Sequence, residues 1–87
     1  MRFKDQAVFK DEHFSLGTDE KTGALYLSIP VSNGLVDYEE YYRLTPAQFQ
    51  QFRNDPASAK QFLELCRSRQ ADELLIVGPG SNRGVPV

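Results

Sequence analysis

The chain reads as an α+β domain, with a mainly antiparallel sheet of three to four strands and two helices packed on one face, in the order β-β-β-α-α-β. Three observations carry this expectation. Leu25, Leu27, Ile29 and Val31 alternate with Ala24, Tyr26, Ser28 and Pro30, the two-residue period of a strand with one buried face. Thr45-Pro46, with Gln48 three residues after the threonine, has the composition of a capped helix start. The alternating segments come before the helical ones, which puts helices on one face of an antiparallel sheet and leaves the other face to water or a partner.

The elements follow in chain order. Room remains for an extra N-terminal strand around Ala7 to Lys10. Phe14 and Leu16 then alternate with His13, Ser15 and Gly17, which predicts a half-buried strand from about Glu12 to Thr18. Asp19-Glu20-Lys21-Thr22-Gly23 supplies a hairpin loop whose glycine suits a left-handed position. After the Ala24–Val31 strand, Asn33-Gly34 predicts a two-residue type I′ turn. That turn sets Val31 against Val36, Ile29 against Tyr38, Leu25 against Tyr42, and Leu27 against Glu40. A carboxylate on an apolar face is anomalous. A bulge near Glu39-Glu40 is expected to push the acid out and turn Tyr41 inward; the alternative is a buried, functional Glu40. Pro30 lacks a donor and belongs on a non-bonded side or near an edge.

Leu44 is placed to staple onto Phe49, and a first helix should run from about Pro46 to Arg53. Asn54 or Asp55 before Pro56 repeats the start signal. Ala59, Phe62, Leu63 and Cys66 then fall at helical spacing to about Arg69, and Arg67 and Arg69 complement the helix dipole. Leu74 to Val77 reads as a short buried strand. Residues 1–77 form the single domain, because 87 residues cannot build two cores. Residues 78–87 form a Gly/Pro-rich C-terminal tail, loose or docked in an extended conformation.

Composition excludes several classes. With 40% hydrophobic and 25% charged residues the chain is neither disordered nor membrane-spanning in character. Its longest apolar run, Leu74-Leu75-Ile76-Val77, is far short of the roughly 20 residues that cross a bilayer. The start Met1-Arg2-Phe3-Lys4-Asp5 lacks a secretory apolar stretch. The one cysteine, Cys66, cannot form an internal disulfide, so a reducing, cytoplasmic setting is expected. Acid concentrates in the strands: residues 11–44 carry seven acids against Lys21 and Arg43. That disfavours nucleic acid as a partner of the sheet and suits a basic protein.

Chemistry-bearing residues are sparse. His13, the sole histidine, lies on the outer side of its strand with no second ligand near it, so no metal site is expected. Cys66 sits on an apolar stripe near a helix C-terminus, where the dipole opposes a thiolate. Glu39 and Glu40 point to opposite faces, whereas Asp37 and Glu39 share one, roughly 7 Å apart along the strand. The tail Gly78-Pro79-Gly80-Ser81-Asn82-Arg83-Gly84 lacks the Gly-Lys-Ser/Thr ending and following helix of a phosphate loop. No catalytic residues and no cofactor are assigned.

The segment Asp37-Tyr38-Glu39-Glu40-Tyr41-Tyr42 interleaves acids with tyrosines, rings that serve well as interface anchors, with carboxylates that would steer a basic partner. Tyr26, Asp37, Tyr38, Glu39, Glu40 and Tyr41 are therefore the candidate partner-binding residues. Cross-strand packing accounts for the same rings in another way, with Tyr38 on Ile29, Tyr42 on Leu25 and Tyr26 beside Tyr41. In size and surface the chain resembles bacterial immunity and antitoxin proteins, which implies a non-enzymatic inhibitor of a basic protein. A homodimer through the same face or an edge strand is compatible. Two competing expectations are a small-molecule or enzymatic cleft using Glu40, a tyrosine hydroxyl and Arg43, and nucleic-acid binding through Arg53, Lys60, Arg67 and Arg69 on the helices.

Overall fold

Five antiparallel strands and two helices form in the computed structural model, which describes residues 2–87, and the class is α+β as expected. Strand β1 spans Phe3–Phe9, β2 Phe14–Asp19, β3 Leu25–Ser32 and β4 Asp37–Leu44, and these lie side by side in that order. Helices α1 (Pro46–Asn54) and α2 (Lys60–Arg67) follow, and a two-residue strand β5 (Val85–Pro86) closes the chain. β4 occupies one edge of β3 along its whole length, so β5, which pairs Val31 with Pro86 and Ser32 with Val85, takes the edge that β2 leaves free.

The β3–β4 connection is wider than the Asn33-Gly34 pair predicts. Ser32 opposes Asp37, and the loop between them is Asn33 to Val36. The Asn33 side-chain oxygen accepts the N–H groups of Leu35 and Val36, both at 3.0 Å, while Gly34 takes a φ of 89°. A side-chain-closed turn of this kind replaces the two-residue turn and moves the register by two residues. Val31 consequently faces Tyr38, Ile29 faces Glu40, Leu27 faces Tyr42 and Leu25 faces Leu44. An even shift leaves every side chain on its expected face. The expected bulge at Glu39-Glu40 is absent, pairing is unbroken there, and Glu40 stays on the core side.

The inner face carries the main core. Leu16, Leu27, Ile29, Val31 and Tyr42 pack with Phe49 and Phe52 of α1 and with Leu63 and Cys66 of α2. α1 starts as its sequence dictates. Thr45 Oγ1 accepts the Gln48 N–H at 3.1 Å, and Gln48 Oε1 accepts the Thr45 N–H at 2.9 Å. The second predicted helix divides into a 3₁₀ turn, Pro56–Ala59, and α2. α2 ends at Arg67, two residues short of the expected limit, and Arg69, with a φ of 63°, reverses the chain while the Gln70 N–H closes on the Leu65 carbonyl at 2.8 Å.

Two further expectations need correction. Leu74 to Val77 is not a strand. Asp72–Leu74 is a 3₁₀ turn, and only Leu75 bridges Tyr42, with the Ile76 N–H donating to the Tyr41 carbonyl at 2.9 Å. His13 lies in the β1–β2 turn with a φ of 60°, not in the strand.

The outer face of the sheet is not simply left to solvent. β1 carries a bulge between Asp5 and Ala7, which bends a strand and increases its twist. Phe3 stacks on Tyr41 with centroids 3.7 Å apart, although β1 and β4 are separated by two strands. The sheet must curl to allow this. Tyr26 lies edge-on to both rings and is fully buried, and Gly17 makes space for it, since a Cβ there would collide with the Lys4 carbonyl and the Tyr26 hydroxyl.

Candidate protein-binding edge

β4 presents two rows of side chains because neighbouring strand residues point to opposite faces. Tyr38, Glu40, Tyr42 and Leu44 face the core, and Asp37, Glu39, Tyr41 and Arg43 face outward. The six candidate residues do not form one surface. Tyr26 is sealed in the outer aromatic cluster, donating its hydroxyl to Asp5 Oδ1 at 2.6 Å. Burial first, and the Asp5 carboxylate second, push its pKa upward, so it remains a protonated donor. Tyr41 is half-buried against Phe3, and burial raises its pKa as well.

Glu40 is only 7% exposed and belongs to a closed ion-pair network. Arg83 Nε donates to Glu40 Oε2 at 2.8 Å, and Arg83 Nη1 and Nη2 donate to the two Asp72 oxygens at 2.8 and 2.9 Å. The Tyr42 hydroxyl donates to Glu40 Oε1 at 2.9 Å. Hydrogen bonds from Arg83 hold the Asp72 carboxyl below the usual range, while Arg83 is held above its own. Tyr38 joins the same end of the fold, accepting the Gly84 N–H at 2.6 Å. This network straps the C-terminal segment across the sheet. Its anchor, Arg83, lies in a Gly/Pro-rich stretch where local pattern gives no sign of a long-range partner.

Asp37 and Glu39 remain. Asp37 is exposed and Glu39 is half-buried, and neither has a Lys or Arg in ion-pair contact among the described residues. Glu39 accepts only the Ser28 hydroxyl, at 3.0 Å. Burial raises its pKa, the Ser28 bond opposes this, and the Asp5 charge adds to the rise. Leu35 and Val36, just before β4, are 83% and 58% exposed. The sequence signal for them was the apolar pair following Asn33-Gly34. Tyr38 to Tyr41 of β4 and the loop Val77 to Asn82 border a groove of about 380 Å³.

The competing chemistries find less support in the geometry. Glu40 and Arg43 lie on opposite faces of β4 and cannot converge on one substrate. Cys66 is buried, and desolvation pushes its thiol up to about 12, so it packs as a small apolar group. No cluster of three potential metal ligands occurs among the described residues. On the helical side, Arg67 donates to the Glu12 carbonyl at 3.1 Å and Arg69 to the Gly84 carbonyl at 3.2 Å. Arg53 and Lys60 are exposed, and the hollow that Lys60 shares with Arg67 is also lined by Asp11 and Glu12, acids that disfavour phosphate there. Among the described residues no helix is long and apolar enough to cross a membrane. No family model, curated protein or solved structure matches the chain.

Proposed function

We propose that this chain is a non-enzymatic protein-binding domain that takes a basic partner on the β3–β4 hairpin tip and the adjoining outer half of β4, in the manner of an immunity protein or antitoxin. The observation that supports it most is the pairing of two kinds of unsatisfied surface. Asp37 and Glu39 carry charge with no cation beside them among the described residues, next to the exposed Leu35 and Val36. Apolar anchors rimmed by like charge suit a complementary protein surface. Of the six candidate residues, Asp37 and Glu39 contact the partner, Tyr38 and Tyr41 hold the strand in shape, and Tyr26 and Glu40 act inside the fold. A reducing, cytoplasmic setting fits Cys66, which is buried and unpaired.

A second copy of the chain is the weaker occupant, because antiparallel β4–β4 pairing brings acids against acids. The test is capture of a stoichiometric partner from native lysate by wild type and by the Leu35→Ser/Asp37→Lys double variant. Both sites are exposed, so the fold should persist, as circular dichroism would check. Salt-sensitive capture by wild type that is lost in the variant supports the proposal. Equal capture by both proteins rejects it.

A further inference from the structure

β4 is an edge strand whose open side is only partly used. Its inner edge is taken by β3 throughout, from Leu44 to Asp37. On the outer edge the chain adds its own backbone at one place, where Leu75 bridges Tyr42 and the Ile76 N–H donates to the Tyr41 carbonyl at 2.9 Å. In an antiparallel ladder each residue directs its N–H and C=O to the same side, and the side alternates along the strand. Tyr41 faces the open edge, so Asp37 and Glu39 face it too. Beyond Ile76 the chain leaves through Val77-Gly78-Pro79-Gly80, and no backbone bond from it reaches Asp37 or Glu39 among the described residues. Strand addition thus begins at Tyr41 and stops, leaving an open ladder beside the groove that Val77 to Asn82 borders.

Resting on the protein-binding role above, we infer that β4 receives an extended segment of the partner by strand addition at Asp37 to Glu39, and that this segment alternates basic with apolar residues. An added strand continues the pleat, so one row of its side chains lies on the outer face beside Asp37 and Glu39. That row is lysine or arginine, because both carboxylates there lack a cation among the described residues and like charges across a ladder repel. The other row lies on the side of Tyr38 and the loop wall, where Val77 is 49% exposed, and it is apolar. Burial under such a strand deepens the desolvation of Glu39, which only a cation in the segment offsets. The open edge, the uncompensated acids and the apolar wall select the same occupant.

The probe is an acetylated, amidated eight-residue peptide of alternating lysine and valine, titrated into the ¹⁵N-labelled full chain. Controls are a glutamate–valine peptide and the lysine–valine peptide with a fully N-methylated backbone. Amide shifts confined to residues 35–41 and 76–80, absent with both controls, are expected. Affinity should fall about tenfold between low and physiological salt. No binding at millimolar peptide, equal binding by either control, or shifts centred on the helices would overturn strand addition. If the peptide fails while partner capture still depends on Leu35 and Asp37, the protein-binding role stands and only its mode falls. If capture is also indifferent to those residues, both fall.

Discussion

A half-buried carboxylate bonded to one serine hydroxyl and, among the described residues, to no cation, as Glu39 is, weakens the folded state at neutral pH. Its folded pKa is raised above the unfolded value. The penalty is therefore absent when both states are protonated, grows as pH rises from the unfolded pKa to the raised folded one, and is complete above the latter. Glu39→Gln, which keeps an acceptor for Ser28, should raise the melting temperature at pH 7, and the gain should vanish below about pH 4. Asp72 has the opposite sign: its depressed pKa contributes stability above the ordinary carboxylate range that is lost in acid. Arg83→Met leaves Glu40 buried without its cation and should cost about 2 kcal/mol, less than a fully buried pair because Asp72 is 40% exposed and solvent screens that arm. Chemical denaturation checks this, and an unchanged midpoint would show that the strap contributes nothing.

At the scale of elements, local signals were legible wherever they closed locally. The α1 start was readable because Thr45, Pro46 and Gln48 satisfy one another within four positions. The faces of β3 and β4 were readable because alternation survives an even change of register. The loop itself was not, since Asn33 can either adopt a left-handed conformation or accept two N–H groups with its side chain, and the pair Asn33-Gly34 serves both. Leu74 to Val77 misled through composition: Leu74 and Leu75 pack against the core while Val77 is exposed, and Pro79 and the flanking glycines break the chain before a ladder can form. The curl of β1 depends on Gly17, whose lack of a side chain reads in sequence as a weak strand position. Gly17→Ala should cost about 2 kcal/mol by displacing the Tyr26 hydroxyl or the Lys4 backbone, measured as a lowered urea midpoint.

For the molecule as a whole, the two faces of the sheet divide labour differently from a bare half-sheet. The helices cover one, and β1 seals much of the other through Phe3, Tyr26 and Tyr41, so surface for a partner narrows to the hairpin tip and the open edge of β4. The acidic tyrosine strand was legible as the centre of interest, but its division into buried, packing and exposed members was not. That division depends on Phe3 and Arg83, which lie 38 and 43 positions from their partners Tyr41 and Glu40. The most direct test is amide hydrogen exchange on the chain with its captured partner bound. Slowed exchange over Leu35 to Tyr41, with α1 and α2 unchanged, is the predicted result. Protection over the helices with Leu35 to Tyr41 exchanging as in the free chain would contradict it.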